Sequence, residues 1–279
     1  LTDSFPYVNM DAFGPGVLAA FLGAEVDDST GRIWFHAPRE QELPQMHFEY
    51  DPDHALLRRI KDIYALGAGH WGSNVLMGMP DLGGVLDILA TFRGTEQLLV
   101  DLLMEPEEVR RISKEIHHVW HQCFDDINAI MDPVRPGYSD WSGLYYEEPA
   151  YIFQCDFGSM ISTDMFEEFA MPELREDFAK YPQSFFHLDG PGMLPHLDLL
   201  LQETNIAGVQ WVPGAGQPDC SHWPEVYRKI QSAEKLTQIP AGPEVLRSLM
   251  DRLGTNGGYM QIRELHVSPD DEEQCTGAS

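Results

Sequence analysis

From Asn74 onward the apolar positions fall into short hydrophobic runs that alternate with segments of helical period. The run "NVLMGM" is followed by "PDLGGVLDILATF", which predicts a helix starting near Asp81. In "PEEVRRISKEIHHVWHQCFDDINAIM", Val109, Ile112, Ile116 and the pair Val119 and Trp120 recur at helical spacing, so one long helix is expected. "GYSDWSG" and "AYIFQCDF" come next, then "STDMFEEF", where Ser162 or Thr163 is placed to cap a helix. The pattern continues with "QSFFHLD", the helix "GMLPHLDLLLQ", the strand "IAGVQWV" and the helix "PEVYRKIQSA". It closes with "KLTQIPA", "PEVLRSLMDRLG" and "GGYMQIREL".

The strand-like runs are short and lack strict alternation, as expected of parallel strands buried on both faces. Regular βα alternation leaves an open doubly wound sheet or a closed barrel. No GxGxxG follows the first strands and no Walker loop occurs, which removes the main support for nucleotide-binding folds. With "YVNM" included there are about eight strands, and the expected fold is an α/β chain forming a (β/α)₈ TIM barrel. A single domain over 1–279 is expected, with "RIWFHAPREQELPQMHFEY" (32–50) as an inserted N-terminal hairpin. The chain starts at Leu1 rather than Met, so truncation at the N-terminus is also expected.

Charge narrows the choice of partners. Against 45 acidic residues there are 18 Lys and Arg, for a net charge of −27, which disfavours nucleic acid and anionic membrane surfaces. The same excess suits a solvated, soluble surface. No apolar run approaches the ~20 residues of a membrane span, and "LTDSFPYVNM" has no signal-peptide pattern. Cys123, Cys155, Cys220 and Cys275 are scattered with no CxxC, which predicts reduced thiols and a cytoplasmic protein. A small-molecule substrate and a monomer or homodimer complete this expectation.

In a barrel, residues just past strand C-termini face the active site. That rule selects Asp11, Asp81, Asp140, Trp141, Asp156, His187, Asp189, Gln210, Trp211, Gln238 and Arg263. A group rich in carboxylates with one histidine and one arginine can bind a metal, exchange protons or hold a polar substrate. Asp11 and Asp81 equally suit helix N-caps, Trp141 and Trp211 suit core or pocket wall, and Arg263 suits pairing with a barrel carboxylate. His117 and His121 stand i,i+4 but lack the HExxH pattern. His187-x-Asp189 at the end of an apolar strand carries the most weight. The following Gly190-Pro191-Gly192 is expected to turn tightly and expose helix N-terminal amides to an anion or carbonyl oxygen. "WVPGAGQP" is a second loop of the same kind, and together they read as a pocket rim.

At these residues the chain resembles the uroporphyrinogen decarboxylase superfamily, which includes corrinoid-linked methyltransferases. "VLMGMPDLGGVLDILATFRG" looks like the family's Gly-x-Pro segment and following helix. "FQCDFGSMISTDMFEEFAMPEL" is similar to its Phe-Asp-Ser segment and acidic-aromatic helix, and "FFHLDGPGMLPHLDLLLQETNIAGVQWV" to the strand-Gly-helix-strand that follows. The resemblance implies a (β/α)₈ barrel and aligns Asp11 with the decarboxylase's essential Asp. The decarboxylase's Arg-rich N-terminal loop is absent from this sequence, which argues against a polycarboxylate porphyrinogen. The methyltransferase branch holds zinc with His-x-Cys and a distant Cys. Here His187 matches, Asp189 stands at the Cys position, and "YMQIREL" supplies no second Cys. A zinc site of His187 and Asp189 is therefore expected to be a harder, more Lewis-acidic centre than a thiolate site.

The resulting expectation is a methyltransferase-like enzyme moving a methyl group from a small methylated substrate to a corrinoid protein. Asp11, Asp156, His187 and Asp189 take the catalytic roles, and Asp81, Asp140, Trp141, Gln210, Trp211 and Arg263 bind substrate. The alternatives are a decarboxylase or other lyase on a small carboxylic acid, which would depend on Arg263, and a non-catalytic ligand-binding barrel.

Overall fold

The computed structural model describes residues 6–132, 134, 136–253 and 259–261. Eleven strands occur among them: β1 (Tyr7–Val8), β2 (Glu25–Asp27), β3 (Trp34–His36), β4 (Leu76–Met77), β5 (Tyr138–Ser139), β6 (Tyr145–Tyr146), β7 (Ile152–Gln154), β8 (Phe185–Asp189), β9 (Gly208–Val212), β10 (Leu236–Ile239) and β11 (Tyr259–Gln261). Each of the eight apolar runs picked out in the sequence supplies one of them. Strands β7 to β11 form a five-stranded parallel sheet in sequence order. Strands β1 and β4 pair in parallel, and a parallel bridge from Met79 to Asp140 brings the β5 segment beside them. Asp140 then links that segment to β7, its Oδ2 accepting the Ile152 N–H at 2.7 Å. Among the described residues β11 does not pair with β1.

The register of the sheet positions the site. Gln154, His187, Gln210 and Gln238 occupy one cross-strand row on β7, β8, β9 and β10. Successive side chains alternate across a sheet, so the intervening Phe186, Leu188, Val209, Trp211 and Ile239 face the other way and are buried under the helices. Two residues further along, Asp156 and Asp189 extend the polar face toward the strand ends.

The helix Pro106–Met131 is the backbone of the outer layer. Val109, Ile112, Ile116, Val119, Trp120, Phe124 and Ile127 make one fully buried stripe, which matches the helical spacing seen in the sequence. Ser162 caps the helix Thr163–Phe169, its side chain accepting from the Met165 N–H at 3.2 Å. No helix among the described residues is long and apolar enough to cross a membrane. Cys123, Cys155 and Cys220 are buried and free. Cys275 and Arg263 lie outside the described residues.

Three local expectations change. The hairpin is formed by β2 and β3, not by residues 32–50. Pro38 and Pro44 break any return strand by removing ladder donors. The chain instead makes one 3₁₀ turn at Leu43–Gln45 and runs along the long helix. Arg111 holds it there, donating to the Leu43 and Met46 carbonyls at 3.1 and 3.0 Å. The helix expected near Asp81 starts at Val85, because the Asp81 carboxylate folds back onto the Gly83 N–H at 2.8 Å. The "GMLPHLDLLLQ" segment opens as a 3₁₀ helix, Pro191–His196, before the α-helix Leu197–Gln202. Pro195 cannot donate an α-helical hydrogen bond. Of the amides around this turn, Gly190 N–H bonds the Val212 carbonyl and Met193 N–H bonds the Gly190 carbonyl, so these two do not face a ligand.

Candidate functional site

The polar row is wired in one direction. The Ser142 carbonyl can only accept, and it takes the Gln238 amide N–H at 3.1 Å. That turns the Gln238 Oε1 toward Gln210, whose Nε2 donates to it at 2.8 Å. Gln210 therefore presents its own Oε1 to His187 Nδ1. An amide oxygen can only accept, so Nδ1 carries a proton, and in the neutral imidazole Nε2 is left with a lone pair. Gln238 and Gln210 are both buried, so the relay has no competing water. Trp141 packs edge-on against the same ring, with centroids 5.2 Å apart and planes at 77°.

His187, Asp156 and Asp189 each offer one ligand atom within 4.8 Å of the others. Asp189 Oδ1 is buried and has no hydrogen-bond partner among the described residues. Gly214 lies beside it: a Cβ at that position would be in ordinary contact with Asp189 Oδ1 at 3.5 Å, and its φ of +85° is what favours glycine there. The two Gly-rich loops thus meet at Asp189. A buried anionic oxygen without a donor, beside an imidazole lone pair, is chemistry that a divalent cation satisfies. The donor set of two carboxylates and one imidazole fits zinc or a harder ion.

A cleft of about 340 Å³ opens beside this group, lined by Gly16, Gly83, Asp87, Gln154, Asp156 and Met160 among others. Its carboxyls hold protons unusually well. Burial, opposed by the Gly83 N–H and reinforced by the charges of Asp11 and Asp156, pushes Asp81 up to about 7. Burial and the charge of Asp156 push Asp87 up to about 7. Asp156 is also raised, by burial first and by Asp189, while His187 pulls it down. Asp87 braces the strand end by accepting from the Asp156 and Phe157 amides at 3.0 and 2.7 Å. Gly84 permits that approach, since a Cβ there would lie 2.3 Å from the Gln154 carbonyl oxygen.

The structure brings Asp156, His187, Asp189, Trp141 and Gln210 together, with Asp81 close enough to feel the charges of both Asp156 and Asp11. Asp81 is no N-cap. It is buried and accepts from Gly83 and, at 3.2 Å, from Gln154 Nε2. Asp11 sits exposed in the 3₁₀ turn Asp11–Phe13. Asp140 does not face the cleft. It is fully buried, and its two oxygens accept from Ser142 N–H (2.9 Å), Ser142 O–H (2.5 Å), Tyr146 O–H (2.8 Å) and Ile152 N–H (2.7 Å). Burial raises Asp140 to about 6 against the pull of these donors. Trp211 is also fully buried and packs against Trp223 at 5.1 Å, on the helical side of the sheet. Gln154 and Asp87 were missed in the sequence. For Gln154 the signal was available, because it stands two residues before Asp156 on the same strand face.

No family model matches the chain, and no curated protein matches it. Among solved structures it is similar to a methyltransferase from Methanosarcina mazei, with a TM-score of 0.58 at 10% sequence identity. The match covers 82% of this chain and 63% of that one, so the chain spans under two thirds of that structure's length. At this identity the likeness is one of fold alone.

Proposed function

We propose that this chain is a methyltransferase-type enzyme on a (β/α)₈ barrel, acting at the group formed by Asp156, His187 and Asp189. The observation that carries the reading is the Gln238–Gln210 relay, which fixes His187 with Nε2 free beside the unpartnered Asp189 oxygen. The fold shared with a methyltransferase supports the reaction class. The substrate is a small methylated compound, and the methyl acceptor is a corrinoid carried by a partner protein.

His187 Nε2, Asp189 and Asp156 would hold a divalent ion, zinc or a harder one. Such an ion supplies Lewis acidity next to the atom that loses the methyl group. The residues do the rest. When the carbon–heteroatom bond of the substrate breaks, the methyl passes to the acceptor and the electron pair stays on the departing atom, which needs a proton. Asp87, raised to about 7 and lining the cleft, is part-protonated near neutral pH and can supply it, and Asp81, also raised to about 7, is buried behind Gln154. Trp141 closes the side of the His187 ring away from water.

The test is methyl transfer to cob(I)alamin from a panel of methylated ethers, alcohols, amines and thiols, using zinc-loaded protein. Turnover with at least one donor, lost by 100-fold or more in His187→Ala, is the expected result. Transfer from none of them, or turnover unchanged in His187→Ala, would overturn the proposal.

A further inference from the structure

A second set of metal-ligating side chains lies away from the cleft, between the helices Pro106–Met131 and Met171–Lys180. His117 and His121 stand one turn apart on the first helix, and Glu173 and Asp177 one turn apart on the second. Side chains four residues apart share a helix face, so two pairs of ligand-type residues confront each other. His117 Nε2 lies 2.8 Å from Asp177 Oδ1, and His121 Nε2 lies 3.0 Å from the same oxygen. The two Nε2 atoms are 3.1 Å apart.

Protons serve this triangle only by setting two N–H donors on one carboxylate oxygen with their nitrogens 3.1 Å apart. If only one Nε2 is protonated, the other sets a lone pair against the carboxylate oxygen. If both are protonated, two N–H groups crowd a single oxygen and each other. His117 and Asp177 are buried, so water does not relieve the conflict cheaply. A cation makes all three contacts favourable at once. Bonds of about 2.0–2.1 Å in a tetrahedron give ligand-to-ligand edges of roughly 3.3 Å, slightly longer than the three distances seen. The ion would sit about 1 Å out of the plane of the three atoms.

The surroundings supply the remaining parts. A cavity of about 20 Å³ is bordered by His117, Glu173 and Asp177, enough for one water. Glu173 is buried on that cavity, and burial raises its carboxyl. The Tyr181 hydroxyl is 3.2 Å from His121 Nδ1 and can accept its N–H, which is how a metal-bound imidazole is usually oriented. Lys180 also lies 3.2 Å from Nδ1, and it reaches Asp125 at 3.5 Å. Metal binding through Nε2 would leave Nδ1 protonated and shift Lys180 fully to Asp125.

We propose that His117, His121 and Asp177 bind a divalent transition-metal ion of the zinc class, with water or Glu173 as the fourth ligand. The site is separate from the His187 group and does not depend on its role. Its place in the fold assigns it a bracing function. Gly83 and Gln154 line both the small cavity and the cleft, so an ion here stiffens the back of the cleft wall.

Two measurements test this. Chelator-stripped protein is loaded with zinc and crystallised, and anomalous scattering at the zinc edge locates the ion. A peak about 2.0–2.1 Å from both Nε2 atoms is expected. Saturated protein with no peak between these helices would overturn the proposal, whatever is seen at His187. In solution, Co²⁺ titration of His187→Ala should leave one tight equivalent with a tetrahedral visible spectrum. Adding His121→Gln should weaken it 100-fold or more. Equal affinity in the two variants would overturn the assignment, and the anomalous peak decides the matter if the double variant unfolds.

Discussion

The direction of the amide relay has a consequence that can be read on one atom. Gln210→Leu keeps roughly the same volume but removes the acceptor for His187 Nδ1 and the donor for Gln238 Oε1. Two buried polar groups then lose partners, at about 1–3 kcal/mol each, offset in part by the apolar surface gained. The expected net loss of folding stability is about 2–4 kcal/mol. The tautomer should also relax, since a net hydrogen bond of about 1 kcal/mol corresponds to roughly a 5-fold ratio. Long-range ¹⁵N NMR of the imidazole in metal-free protein should show protonated Nδ1 and bare Nε2 in the parent, and a mixture in the variant. Gln210→Glu separates orientation from packing. Its carboxylate still accepts from Nδ1 but turns a second acceptor on Gln238 Oε1, so stability falls by about 1–3 kcal/mol while the tautomer is kept. Zinc affinity at this group, measured in a His121→Gln background, should fall 10–100-fold in the Leu variant and stay near parental in the Glu variant. An Nε2-protonated ring in the parent, or identical behaviour of the two variants, would refute the reasoning.

Asp140→Asn should cost about 1–3 kcal/mol by urea denaturation at pH 8, because either amide orientation leaves one backbone N–H, of Ser142 or Ile152, facing a donor. A loss below about 0.5 kcal/mol would show that the carboxylate is not the tie between β5 and β7. Asp81 and Asp87 have pKa values raised to about 7 from 3.8, so the folded chain keeps protons that the unfolded chain releases. Stability should therefore fall as pH rises from about 4 to about 7, and Asp81→Asn should flatten the slope; a rising urea midpoint over that range would contradict the raised values. Gly84→Ala should destabilise by about 1–3 kcal/mol through the clash with the Gln154 carbonyl, and unchanged thermal stability would show that β7 and the helix Val85–Arg93 are not held at that contact.

The strands and the long helix were legible because their signals are local. Runs such as "FFHLD" and "GVQWV" are apolar over a strand's length, and the 106–131 segment repeats its stripe over seven turns of sequence. His187 and Asp189 were legible for the same reason, as polar residues interrupting an apolar run. What was not legible depends on register between strands. Nothing in "IFQCDF" says that Gln154 aligns with His187, or that Gln210 and Gln238 fall in the same row. Asp140 and Trp211 were misplaced by a single step of alternation, which moves a side chain from the pocket face to the packed face. The His117 and His121 pair was visible as a spacing, but its meaning came only from Asp177, brought opposite by the packing of two helices.

The electrostatics of the cleft constrain what it can take. Asp11, Asp81, Asp87, Asp156 and Asp189 converge on one region, and among the described residues no lysine or arginine lines the cleft. Full ionisation of all five would be costly in a partly buried site. Burial relieves this by raising Asp81 and Asp87 to about 7, so that part of their charge is neutralised near neutrality. A polyanionic substrate would meet no positive partner here and would drive further proton uptake. A cationic methylated donor would instead lower the cost of ionising Asp156 and Asp189, as would a divalent ion. The acidic excess of the whole chain thus reappears inside the molecule as a preference for positive charge, localised where His187 offers its lone pair.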